Sequence, residues 1–441
     1  MTGVIHRWPL ATLAVLVILP AVARAQGGVA ASPTLRLGDV YTAIGENNPR
    51  AAAARSLADA ARARIPGAGL PSDPQLQLAF MNYGLADLRP MDALGMVQLQ
   101  VMQMIPTAGK PGLSRRVATA RAAAEGERAA DVAWELRSRA AMAWYELYEA
   151  NASIAIAAGT RRLLEDIARA AAAMYEVGEG RQADVLRARV EIARMNEQIT
   201  RMEAMRSAAI ARLGALLDRA MGDSTRAAAL PRFPDAVPSV DSLVRVALRQ
   251  RPMIRAGGED LRAADAMVTL AQRELVPDLV VGVQYGQRTA TMGTERMGSL
   301  MIGASVPVFA NRRQAGLRDE AGAMRAMAQA DLRYLQADTR GRITEAHAAL
   351  TSARNLARLY TTTVLPQAEA TVASAMAAYR VGEVDFMTLL DSRMTVNAYR
   401  QELVALRVSE GRAWADLEML IGHELFDPDS TTLATASGGR P

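Results

Sequence analysis

The chain contains no cysteine. A disulfide framework, a thiolate metal centre, a cysteine nucleophile and a lipid-modified N-terminal cysteine are all excluded. Histidine is almost as scarce: His6, His347 and His423 lie far apart, so no histidine metal cluster can be read. No nucleophile–base set and no phosphate-binding loop is present, so neither an enzyme nor a cofactor is indicated. Aromatic residues make up 4% of the 441 positions, too few for a thick aromatic core. Neither charge sign dominates: 51 Lys and Arg against 46 Asp and Glu leave a formal +5, spread thinly. That balance carries no nucleic-acid footprint. Beyond the N-terminus, no apolar run reaches the roughly 20 residues of a membrane-spanning helix.

What is present begins with a processing segment. His6 and Arg7 precede the apolar run "LATLAVLVILP", and Ala23-Arg24-Ala25 has the form of a cleavage site. Residues 1–25 read as a secretory signal peptide with Gln26 as the mature start. Removing Arg7 and Arg24 lowers the formal charge from +5 to +3 (5 − 2). Alanine, leucine, arginine and methionine are abundant, which favours long helices. A mature chain with this leader either stays free of membranes or crosses one as a β-barrel, whose strands escape hydropathy scans.

The chain repeats itself. "YEVGEGRQADVLRAR" from Tyr175 returns as "YRVGEVDFMTLLDSR" from Tyr379, an offset of 204. Pro49 and Pro252 are 203 apart, as are Pro74 and Pro277, while Pro106 and Pro307 are 201 apart. Each half reads helix, strand pair, long helix, Gly turn, helix. We place the first repeat at 26–218, with strands at about 75–105 and a hairpin tip near 175–185. A linker at 219–240 follows, then a second repeat at 241–424, with strands at about 278–308 and a tip near 379–388. Residues 425–441 read as a flexible tail, low in apolar residues.

The strand segments alternate with period two. Leu76, Leu78 and Phe80 share one face, and Val97, Leu99 and Val101 another, each opposed by glutamines. Leu279, Val281, Val283 and Tyr285, then Leu300, Ile302, Ala304 and Val306, repeat the pattern. This fits a lipid-facing exterior with a wet lumen, and equally a soluble half-buried hairpin. Long helices, with few Pro or Gly to interrupt them, are expected from about Ser114 to Tyr175 and from about Arg313 to Tyr379. Helices of that length bury seams against partners along their whole length. Four strands cannot close a barrel, so in a membrane several chains must combine, most cheaply with cyclic symmetry.

With these features in order, the chain resembles the TolC-type outer-membrane efflux protein family. The resemblance covers nearly all of the mature chain. It rests on the tandem halves, the "NNP" and "QRP" helix starts, "PSDPQL" and "VPDLVV" before strands, "ASVPVFANRR" and the doubled Tyr-x-Val-Gly phrase. It implies an α+β membrane protein: a homotrimer whose subunits each give four strands to a transmembrane β-barrel in the outer membrane of a Gram-negative bacterium. Long helices continue the barrel as a periplasmic tunnel. The implied role is a passive conduit in a tripartite efflux pump. Its partners are a periplasmic adaptor (membrane fusion) protein, an inner-membrane pump of the resistance-nodulation-division type, and outer-membrane lipid. A type I protein-secretion duct, or a periplasmic coiled-coil adaptor, remain the alternatives; an adaptor carries one helical hairpin rather than two.

The resemblance also assigns residues. Val177, Gly178 and Glu179, with Val381, Gly382 and Glu383, fall at tips where adaptors bind. Asp385 stands where a helix N-cap belongs, and Arg181 occupies that place in the first half. The periplasmic aperture maps to Thr388 and Asp391, and in the first half to Asp184 and Arg187. Thr388 departs from the doubly acidic pattern, leaving Asp391 to form a carboxylate ring. The phrase Pro106-x-x-Gly109-Lys110 is similar to the heavy-metal branch, which favours metal cations over small toxic organic compounds as cargo. Met91, Met96, Met102 and Met104 nearby are unevenly spaced and read as apolar filler, so no metal ligands are assigned.

Overall fold

The computed structural model describes residues 34–86, 88–92, 95–290 and 293–429. The signal-peptide segment lies outside the described residues. Two short helices open the first half, α1 (Leu37–Asn47) and α2 (Pro49–Ala63), after a two-residue strand β1 (Thr34–Leu35). Strands β2 (Gln75–Met81) and β3 (Met96–Ile105) follow, then α3 (Lys110–Glu176) and α4 (Gln182–Leu216). The second half begins after β4 (Arg226–Ala227) with α5 (Val240–Gln250) and α6 (Pro252–Arg273). Strands β5 (Asp278–Ala290) and β6 (Gly293–Ser305) then lead to α7 (Arg313–Leu359), α8 (Leu365–Arg380) and α9 (Phe386–Ile421).

The paired short helices break for the same reason in both halves. Proline opens α2 and α6, because its fixed φ and missing N–H suit a first helical position and end the helix before it. Asn48 caps α2 by accepting from the amides of Arg50 and Ala51, and its Nδ2 donates to Leu216 O at 2.7 Å. It thereby satisfies a carbonyl orphaned at the end of α4. Arg251, its counterpart, makes no side-chain cap and instead donates from a guanidinium nitrogen to Thr339 Oγ1.

The helix α3 has 67 residues, a rod of about 100 Å at 1.5 Å per residue. Its partner in the second half is not continuous, contrary to the sequence expectation. Residues Tyr360–Val364 form a π-turn between α7 and α8. Pro366 has no N–H to donate into the preceding turn, and the hydroxyls of Thr361 and Thr362 donate back to Ala357 O and Arg358 O. Both effects loosen the ladder at that point.

The main core sits at mid-length. Trp144, Tyr145, Leu147, Leu213, Ile343, Leu350, Trp414 and Leu417 are fully buried there, and Trp144 Nε1 donates to Leu35 O at 2.8 Å. The linker joins this core: β4 pairs in parallel with β1, and Phe233 meets Phe426 edge-on. Leu425 and Phe426, placed in a flexible tail by the sequence, are instead held against the core. Phe426 is buried, and Glu418 Oε1 accepts from the amides of Leu425 and Phe426. Residues 430–441 of the expected tail lie outside the described residues. Among the described residues, no helix is long and apolar enough to cross a membrane.

Candidate functional site

The two hairpin tips are built alike. Gly178 and Gly382 hold φ of +80° and +76°, the left-handed conformation that closes a helix. Gly178 N donates to Tyr175 O and Glu179 N to Met174 O; Gly382 N donates to Tyr379 O and Glu383 N to Ala378 O. These are the paired bonds of a Schellman close, made twice. Val177 and Val381 stand beside them, 72% and 70% exposed. Such matched apolar projections at the end of a polar helix pair are available to a partner surface.

The tips differ at their exits. Asp385 Oδ1 accepts from Thr388 N at 3.0 Å and from Thr388 Oγ1 at 2.6 Å. The Thr388 hydroxyl, then its amide, hold the Asp385 carboxyl below the usual carboxylate range, with Arg181 adding to the effect. Arg181 itself makes no cap for α4. Thr388 is thus committed to the cap, while the exposed Asp391 has no ion-pair partner among the described residues. Asp184 and Arg187 form no ion pair with each other. Asp184 instead lies near Tyr379: burial, then the Asp184 charge, raise the Tyr379 phenol above its ordinary value.

Sequence reasoning missed how the tips touch. Tyr379 Oη lies 3.7 Å from Met174 Sδ and its ring meets Phe386 edge-on. Phe386 and Leu390 enter one apolar cluster with Leu164, Ile167, Val185 and Met195. The hairpins therefore pack as one unit at this end. Gly180 was also missed; a Cβ there would stand 2.7 Å from Tyr175 N, so only glycine passes so close.

At the other end, the four long strands form one antiparallel sheet in the order β2-β3-β5-β6, open at both outer strands. In-register pairing carries Leu76, Val101, Val283 and Leu300 across one face, and Leu78, Leu99 and Tyr285 beside them. All seven are exposed. The opposite face carries Gln77, Gln100, Gln284 and Ser299 in one row. Phe80, Tyr285 and Phe309 are exposed, and Phe80 meets Tyr83 edge-on.

The Gly109-Lys110 phrase proves to be a joint between sheet and helices. Gly109, at φ +74°, turns the chain into α3. Lys110 Nζ, on a side chain only 7% exposed, lies 2.9 Å from both Asp278 Oδ1 and Val276 O, and 3.6 Å from Glu274 Oε2. Thr107 donates its amide to the same Asp278 oxygen at 3.0 Å and its hydroxyl to Pro277 O at 2.6 Å. Among the described residues, no group of three His, Cys, Asp or Glu side chains is placed to hold a metal.

Residues 243–423 match the outer membrane efflux protein family. The chain is 24% identical over 297 residues to the cobalt-zinc-cadmium resistance protein CzcC of Cupriavidus metallidurans, covering 66% of this chain and 69% of that one. Its fold matches the solved structure of CusC with a TM-score of 0.74 at 16% identity, over 91% of this chain and 96% of that one. The outer membrane protein VceC of Vibrio cholerae gives the same TM-score at 16% identity, over 88% and 96%. The second half thus carries the pattern of the outer membrane efflux protein family, and across most of its length the chain shares the fold of these solved outer-membrane proteins.

Proposed function

We propose that three copies of this chain close a shared β-barrel in the outer membrane of a Gram-negative bacterium, continued by their helices as a tunnel through the periplasm. One observation carries the reading: a sheet with two open edges and a largely apolar, largely exposed face. In lipid, open edges cost several kcal/mol per unpaired group, so the sheet must be completed by other chains. Apolar residues left exposed on α7 support a subunit seam, since Leu317 and Met324, and Met327 and Tyr334, recur at seven-residue spacing.

The duct is passive. It carries cargo outward while an adaptor and an inner-membrane pump supply energy. The exposed Val177 and Val381 are the adaptor contacts, flanked by Glu179 and Glu383. Asp391, repeated in three copies, rings the periplasmic aperture and favours cations. Opening follows when the adaptor binds the open tips more tightly than the closed ones. The similarity to CzcC supports metal cations as cargo.

Native mass spectrometry in detergent, after outer-membrane fractionation, tests the assembly. A mass of three mature chains is expected; a water-soluble species near one 47.2 kDa chain overturns the reading. A deletion strain challenged with copper, silver, zinc, cobalt and cadmium salts and with drugs and detergents tests the cargo. Sensitivity confined to organic compounds overturns metal efflux.

A further inference from the structure

The methionines of the sheet are sorted by face. Met81, Met96, Met102, Met104, Met297 and Met301 all lie on the glutamine side in the observed register, and the opposite side of the described strands carries none. Leucine, isoleucine, valine and phenylalanine show the reverse, with Val280 the single exception. If methionine served as apolar filler, it would collect where other apolar side chains collect. It instead stands among glutamines, on the side that the barrel reading turns to water. There its distinguishing property is the thioether, a soft neutral donor.

The contacts are local as well as sorted. Met102 and Met301 converge over Gly282: a Cβ at that glycine would lie 3.1 Å from Met301 Cε and 3.2 Å from Met102 Cγ. Two same-face positions along β5, Met96 Sδ fills the space over Gly286, 2.8 Å from where its Cβ would be. Gln98 and Gln100 turn their amide nitrogens toward Met96 Sδ and Met301 Sδ at 3.8 and 3.9 Å. The glycines lay these side chains along the wall, and three rotatable bonds let each sulfur swing toward a passing ion.

We infer that this thioether-lined wall gives weak, successive binding sites to soft monovalent cations such as Ag(I) or Cu(I), and that these pass through the barrel in contact with it. The inference rests on the barrel reading, which makes this face the lumen. Neutral sulfur donors discriminate against harder divalent ions and hold soft ones without trapping them, as transit requires.

The test uses the full chain in lipid nanodiscs with 13C-labelled methionine methyls. Silver nitrate is titrated, with zinc nitrate in parallel, and channel conductance is measured in planar bilayers on the same preparations. The variant Met96→Leu/Met102→Leu/Met301→Leu conserves volume and keeps the barrel apolar enough to fold. Silver is expected to shift the methyl resonances of these methionines while zinc does not, and the variant is expected to lose about tenfold or more in silver affinity. Unchanged silver affinity in a conducting variant, or equal shifts with zinc, overturns the thioether inference and leaves the duct standing. A wild-type protein that forms no conducting channel overturns the duct and the inference together. If the variant does not assemble, the single changes Met102→Leu and Met301→Leu decide on the same readout.

Discussion

Replacing Lys110 by methionine removes the cation that joins the sheet to the helices. The ammonium is nearly enclosed and faces Asp278 Oδ1 at 2.9 Å, with Val276 O at the same distance. Breaking a fully buried pair by removing one partner costs about 3–5 kcal/mol, because the remaining charge is stranded. Asp278 is 17% exposed on its side chain and keeps the Thr107 amide at 3.0 Å, so the cost falls below that range, to about 2–3 kcal/mol. Asp278→Asn in the same background removes the stranded charge while leaving an acceptor for Thr107. The double variant should therefore recover part of the loss, with a coupling of about 1–2 kcal/mol. Urea midpoints followed by circular dichroism on the wild type, both single variants and the double variant close the cycle. A coupling below about 0.5 kcal/mol would show that Lys110 and Asp278 act independently, and the joint would not be what holds sheet to helix.

Gly178→Ala and Gly382→Ala each force a side chain into left-handed backbone, at about 1–2 kcal/mol per site, and should raise protease cleavage at the tips without moving the main unfolding transition. Asp385 has a depressed pKa in the fold, so its cap is fully present above the unfolded value and is lost as pH falls through the lowered folded value. Exchange protection of the Thr388 amide should stay level down through the ordinary carboxylate range and then fall; Asp385→Asn should abolish that pH dependence while keeping protection, and a loss of protection already near neutral pH refutes the cap. Asp391→Asn should raise the half-blocking concentration of trivalent cations several-fold in single-channel recordings, and unchanged block would remove Asp391 from the aperture. Glu418→Ala leaves the amides of Leu425 and Phe426 without their acceptor at a cost of about 2–3 kcal/mol, visible as cleavage within 425–429; resistance equal to wild type refutes it.

What the amino-acid order disclosed was whatever is local and repeated. Proline at 49 and 252, glycine at 178 and 382 and the period-two runs act within a few residues, so each signals its own turn, break or strand. The π-turn at Tyr360–Val364 was hidden because a lone proline in a helical run reads as a tolerated interruption rather than a change of pitch. The Lys110 joint spans 168 residues and the Tyr379 contact with Met174 spans 205, distances over which a lone lysine or tyrosine carries no mark of its partner. The methionines show the limit most sharply. Met96, Met102 and Met104 look unevenly spaced along the chain, yet all occupy even positions of one strand and so share a face. Met81 joins Met96, and Met301 joins Met102 across Gly282, only because the strands pair in one register. A one-residue slip of β6 would move Met297 and Met301 to the face of Leu76 and Leu99 and bring Leu300 and Ile302 to the glutamine face. In the proposed barrel, burial of that apolar face against lipid would select the register, and the register in turn brings the methionines onto one face.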